Sequence, residues 1–398
     1  MDTPPESIFE QFVASLGVAF LPGELVGSSL HSPAPDSPIA HYSDILRYVA
    51  ASPVGVAPPF KYCAGLVYSN IPTGYCSYVA DHFCVGVTTA MYNCCLEASL
   101  RTFQSDQTFV DIGRLSKPPT NGGGNALEPV PWGFKWREEL RKREAAPHRV
   151  GTAFDPWSVP EFANALAVAC PVRRACAEYV AQMMITFLWS HEVAHAISGH
   201  LPYLQHHSNV RTISENDWFD PTQEEKYLYT ATRLWMEHDA DTSAINTLLA
   251  SNMSGVVIHK TGVAEIDGNQ DLRLRLDVEA IVLTFLIILF QYDWGSDGSG
   301  SHPDPLRRMF VGVMSAITLI RATHSDAARI ATAILQEIRA LVLANRGLHQ
   351  PLTMFFAPLT VDLATKEYND LVAQVAPQIP KIRAFSYFDA NGRLEVPY

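Results

Sequence analysis

Residues 187–200 read FLWSHEVAHAISGH, and this stretch decides the fold. Within it, His191-Glu192-Val193-Ala194-His195 is an HExxH pattern. Side chains four apart on a helix share a face, so the two imidazoles can bind one metal ion with Glu192 beside them. Phe187, Leu188, Trp189, Ala194, Ala196 and Ile197 make the surroundings apolar. Burying two histidines and a glutamate there without partners would be costly. The stretch therefore reads as a metal-binding helix rather than as a helix with two surface histidines.

Working outward, the helix is predicted to run from Pro171, a good first helical residue, to about Ser198, with Gly199 as its stop. The next is predicted from Asp220-Pro221-Thr222-Gln223 to about Ala250: an N-cap, a proline in the first position and a capping-box glutamine. It carries Glu237-His238-Asp239-Ala240-Asp241, in which Glu237 and Asp241 share a face. Glu237 is expected as the third metal ligand. Asp241 is expected as the outer carboxylate that accepts the free N–H of a ligand histidine and fixes its tautomer. A reversal loop is expected over 201–219. His200, His206 and His207 are the alternative third ligands; His200 follows Gly199 and so is expected to have left the helix. By itself EHDAD could be a solvated acidic face; beside HExxH the metal reading is preferred.

Further helices are predicted at Ala90–Phe103, Leu272–Tyr292, Asp304–Ala322, Asp326–Ala344 and Val361–Val375, with a short charged one at Trp136–Glu144. His82–Thr88, HFCVGVT, favours a strand. Residues 1–75 are rich in Pro, Ser and Gly and read as loops and short helices. The stretches KPPTNGGGNA (117–126) and GSDGSGS (295–301) read as irregular and flexible. The expected class is mainly α, formally α+β, with a small antiparallel sheet. Three segments are expected: 1–150 with short helices, an edge strand and loops; 151–350 as the helical core; and 351–398 as a C-terminal helix and tail.

Composition narrows the function. Of 398 residues, 47% are hydrophobic, which suits a globular chain. Lys and Arg number 29 against 41 Asp and Glu, a net charge of −12, which argues against an extended nucleic-acid surface. The longest apolar run, Ala280–Phe290, falls well short of the roughly 20 residues that span a bilayer, so a buried core helix is expected. Met1–Glu6 has two acids and no base, unlike a signal peptide. Seven cysteines, an odd number with no CxxC, read as free core thiols of a cytoplasmic protein.

HExxH followed on the next helix by ExxxD is similar to the gluzincin pattern. HEVAH with EHDAD resembles its ExxAD variety, found in CAAX-prenyl proteases, their bacterial relatives and small soluble peptidases of the phage-exclusion (Lit-like) kind. Ser301-His302-Pro303 with Arg308 resembles the (S/T)HPxxxxR block that follows ExxAD in the prenyl-protease group. The resemblance covers about residues 171–320. It implies a zincin-like core with Zn²⁺ on His191, His195 and Glu237, Asp241 behind the ligands, and Glu192 as general base. His302 would donate to the substrate carbonyl or oxyanion, or else simply start a helix ahead of Pro303. Arg308 would contact substrate or pair with a buried carboxylate. The membrane members have several spanning helices and this chain shows none, so a soluble protein or peptide is the expected substrate. An edge strand, with His82–Thr88 the candidate, would align it by strand addition. A protease triggered against a single partner and a non-catalytic zinc-stabilised binding protein are the alternatives. The sequence carries no signal for the oligomeric state.

Overall fold

The computed structural model describes residues 5–15, 19–25, 62–68, 73–79, 82–105, 108–113, 167–208, 212–214, 226–253, 260–291, 305–344 and 358–386. Helix α1 (Pro5–Ser15) and strands β1 (Ala19–Leu25), β2 (Tyr62–Tyr68), β3 (Gly74–Val79) and β4 (His82–Thr88) come before α2 (Thr89–Gln104). Next are α3 (Pro171–Ile197), α4 (His200–Ser208), β5 (Thr212–Ser214), α5 (Lys226–Met253), α6 (Ala264–Asp267) and α7 (Gln270–Gln291). Helices α8 (Pro305–Thr323), α9 (Ala327–Ala344), α10 (Pro358–Val375) and α11 (Ile379–Arg383) follow. The fold is mainly helical with a small sheet, as expected.

Helix α3 is the axis. From Val180 to Glu192 every residue is buried, and from Cys176 to Ile197 nearly all are. A helix apolar around its whole circumference needs neighbours on every side. It has them in α2, α5, α7, β3 and β4. Helix α7 holds the longest apolar run. Residues Ala280–Ile288 are buried, and α7 packs on α2, α3, α5, α8 and α9. It is the buried core helix expected, and no helix among the described residues is long and apolar enough to cross a membrane.

The strands lie in the order β1-β2-β4-β3-β5. Three of the four described pairings are antiparallel, and β2 with β4 is parallel. Strand β4 spans the residues expected but is not an edge. It is paired on both sides and buried at every position, so no further strand can be added to it. Its composition explains this: HFCVGVT has no charge on either face to meet water, and both faces are covered. Phe83, Val85 and Val87 join the main core, while Cys84 joins a smaller cluster with Ile8, Phe9, Phe12 and Val13 of α1. A β-carbon on Gly65 would sit 2.6 Å from the Phe9 ring, so glycine is what allows α1 to lie on β2. Strands β1 and β2 fall where loops and short helices are expected from the Pro-, Ser- and Gly-rich composition of residues 1–75.

The main core draws side chains from all three expected segments, from Cys76 to Ile382. The 201–219 stretch contains a helix and a strand, α4 and β5, where a loop is expected. The Asp220–Gln223 cap, the Trp136–Glu144 helix, 117–126 and 295–301 lie outside the described residues. All seven cysteines are free thiols, and six are buried.

One buried arginine ties α3 to α2. The guanidinium of Arg173, 1% exposed, donates to five carbonyls. Nε bonds Phe103 O at 2.9 Å; Nη1 bonds Phe109 O at 2.7 Å and Ile112 O at 3.1 Å; Nη2 bonds Ser105 O at 2.7 Å and Thr108 O at 2.9 Å. These include carbonyls at the C-terminal end of α2, which the helix itself leaves without partners. Phe109 has φ 47°, unusual for a side chain of that size, and costs about 1–2 kcal/mol. Arg173 and Glu337, which accepts from Phe109 N at 2.7 Å, hold it there. Arg173→Met should therefore destabilise the fold by at least about 3 kcal/mol, because several buried carbonyls lose their donor at once. Urea or thermal unfolding of the variant tests this; a loss below about 1 kcal/mol would mean that water replaces the guanidinium.

Candidate metal centre

The centre lies where α3 meets α5. Helical spacing puts His191 and His195 one turn apart, and Glu237 and Asp241 one turn apart on the facing helix. His191 Nε2 lies 3.0 Å from His195 Nε2 and 3.3 Å from Glu237 Oε2, and His195 Nε2 lies 3.6 Å from Glu237 Oε1. Asp241 meets His191 while Glu237 reaches on to His195, so contacts advance along α3 as they retreat along α5, as in an antiparallel pair. Each of the three is at most 1% exposed.

These separations fit a metal ion. An ion bound at about 2.1 Å through three corners of a tetrahedron holds its ligand atoms about 3.4 Å apart. The three observed separations bracket that value. Among the described residues this is the group of His, Cys, Asp and Glu whose donor atoms converge closely enough to hold an ion. A buried His-His-Glu set can thus bind a metal. Burial pushes His195 down to about 4, against the opposing pull of Glu237, so its imidazole is neutral near pH 7, the form a metal needs.

The supporting shell is as ordered as the ligands. His191 Nδ1 lies 2.9 Å from Asp241 Oδ1. Arg308 grips the same carboxylate with a fork, Nε to Oδ2 and Nη2 to Oδ1, both 2.8 Å. Burial alone would raise the Asp241 pKa; Arg308, with help from His191, overcomes that and holds it well below the ordinary carboxylate range. Arg308 Nη2 also lies 3.7 Å from Glu237 Oε2, so one cation offsets two buried acids. Arg308 itself is 1% exposed and packs over Phe285, and it makes the buried carboxylate pairing that is one of its two expected roles.

Glu192, also 1% exposed, rests against the first residue of β3. A β-carbon on Gly74 would overlap its carboxylate. Thr88 anchors that spot: its N–H donates to Thr73 O at 3.0 Å, and its Oγ1 accepts from Thr73 N at 3.1 Å while capping α2 through Met91 N at 3.2 Å.

The structure therefore brings together His191, His195, Glu237, Asp241 and Arg308. Of the alternative ligands, His206 and His207 are exposed on α4 with Phe385 beside them. His200 opens α4, fully buried, and its ring sits against the outer side of His195. His302 lies outside the described residues. Reading the sequence missed Gly74, Asp239 and Arg383. Asp239 stands inside EHDAD, but two positions are about 200° around a helix, so it faces away from Glu237. Nothing in the sequence marks Gly74 or Arg383, whose importance comes from contacts over 100 residues away.

No protein family, curated protein or solved structure matches this chain.

The geometry sets different expectations for the two acids of α5. Glu237→Ala removes one of three ligands and should abolish stable binding of a divalent ion. Asp241→Asn leaves the ligands in place and should weaken it by about 10–100-fold. Metal analysis of the purified variants, with chelator competition, separates the cases. Loss of the ion in Asp241→Asn but not in Glu237→Ala would exchange the two roles.

Proposed function

We propose that the chain is a gluzincin-type zinc endopeptidase acting on a soluble protein or peptide. The observation that carries the reading is the convergence of His191, His195 and Glu237, with Glu192 on the same buried helix and Asp241 behind. Two imidazoles and one carboxylate, with a fourth position for water, suit Zn²⁺ in a catalytic rather than a structural role. Held by His191, His195 and Glu237, a zinc ion would supply an acidified water and polarisation of the scissile carbonyl.

The chain's own residues supply the rest. Glu192 accepts the proton of the attacking water and passes it to the leaving amine as the peptide bond breaks. Its seat against Gly74 limits where the carboxylate can swing. Asp241 orients His191, and Arg308 keeps Asp241 ionised. A structural zinc site has no use for Glu192, which favours the enzyme over the scaffold. The burial of every ligand favours a second reading, in which the site acts on one partner that opens it.

Glu192→Gln tests the central claim. Glutamine keeps the shape but cannot take the proton, so metal content and melting temperature should hold while cleavage falls by about 10²–10⁴-fold. The readout is the set of new protein N-termini in cells expressing wild type or Glu192→Gln. Identical sets, with the metal retained in Glu192→Gln, would mean that the protein acts by binding. A second variant probes the seat. Gly74→Ala should keep the metal but displace the Glu192 carboxylate, and a shift of about 1 Å can cost about 10²-fold in turnover. Undiminished turnover in Gly74→Ala would mean that β3 does not position the base.

A further inference from the structure

The two ligand imidazoles are not supported alike. His191 has a carboxylate directly behind it, in Asp241. His195 has another histidine: its Nδ1 lies 3.1 Å from Nδ1 of His200. The ring centroids are 5.2 Å apart and the planes are inclined at 65°, an edge approach. Behind His200 the chain of contacts continues. Its Nε2 lies 3.1 Å from Asp239 Oδ2, and Asp239 Oδ1 accepts from Arg383 Nη2 at 2.5 Å. His195 and His200 are fully buried, Asp239 is 19% exposed and Arg383 39%, so the series leads from the metal centre to the surface.

Proton placement follows from the chemistry of the ends. A metal ligand needs a lone pair on His195 Nε2, so the neutral ring carries its hydrogen on Nδ1. His200 Nδ1 must then accept that hydrogen, which places the His200 hydrogen on Nε2, where it donates to Asp239. The opposite order would put a hydrogen on His195 Nε2, facing the metal. The single hydrogen bond from Arg383 Nη2 to Oδ1 keeps Asp239 an acceptor at the far end.

The turn that carries His200 is held from outside by the same C-terminal stretch. Gly199 has φ 85°, and a β-carbon there would come within 2.5 Å of Ile382 O and 2.8 Å of Ser386 N. This is backbone-to-backbone contact that only glycine allows. Ser386 Oγ donates to Ile197 O at 3.1 Å, and the Arg383 guanidinium lies 5.5 Å over the Trp235 ring, one turn before Asp239 on α5.

We propose that His200 is a positioning residue of the metal centre, setting the tautomer and tilt of His195, and that residues 379–386 hold His200 in place through Arg383 and Asp239. The inference rests on the metal-centre reading above. It makes α11, the last described helix, part of the site.

The test uses the full chain, loaded with Zn²⁺ or Co²⁺. Wild type should bind one ion per chain. His200→Phe keeps a flat ring but loses both nitrogens, so Zn²⁺ affinity by chelator competition should fall by about 10–100-fold and the visible Co²⁺ bands should shift. His200→Asn restores an acceptor near the Nδ1 position and should recover most of the affinity. Arg383→Met should fall in the same direction by less. In Zn²⁺-loaded wild type, ¹⁵N-histidine NMR should show His200 as the neutral Nε2–H tautomer, a result that needs no variant to fold. A His200 carrying its hydrogen on Nδ1, or His200→Phe that folds and matches wild type in affinity and Co²⁺ spectrum, overturns the proposal. If wild type binds no ion at all, the metal-centre reading fails first, and the proposal with it.

Discussion

The structure depends on matching buried charge between α3 and α5. The acids Glu237, Asp239 and Asp241 and the imidazoles His191, His195 and His200 meet where the buried helix α3 packs on α5. An acid or imidazole left alone there would cost several kcal/mol or give up its charge. Here each is answered. Glu237 faces two imidazoles, Asp241 takes His191 and the Arg308 fork, and Asp239 takes His200 and Arg383. The two cations that complete the arrangement come from α8 and α11, far along the chain, so the helices C-terminal to α5 act as supports for the centre as well as cover for the core.

The sheet contributes at one corner. Its buried middle strand, β4, builds the core, and its neighbour β3 presents a bare backbone to Glu192. Thr88, at the end of β4, is tied to the residue before β3 and caps α2. The wall beside Glu192 is thus held by the same residue that starts the helix packed alongside α3. The seat of Glu192 and the packing of the core share one anchor, which suits the role proposed for Glu192.

Much of this was legible in the sequence wherever the signal is local. Helix α3, its glycine stop, α2, β4 and the four long helices after α5 fall within a few residues of their predicted bounds, because apolar period, proline starts and glycine stops act over one or two turns. The HExxH histidines and the Glu237–Asp241 pair follow from four-residue spacing alone. The early strands were not legible. Ala19–Leu25 contains Pro and Gly, and Tyr62–Tyr68 is small and mixed, so both depend on the sheet that receives them. The edge role expected for His82–Thr88 failed for a related reason: a strand's composition tells that it is buried, but which strands flank it is a matter of topology.

What the sequence by itself determined is the pair of helical faces, one with two imidazoles and a glutamate, the other with two carboxylates. That follows because helix geometry converts spacing into direction without help from the rest of the chain. Only the tertiary structure decided what stands behind each ligand. Arg308 could have faced open space or a carboxylate, and His200 could have joined the candidate donors or stood behind one; both choices turn on where other helices come to rest. Burial made the decision, since a guanidinium or an imidazole enclosed in the core is stable only beside the acid or ligand that answers its hydrogen bonds.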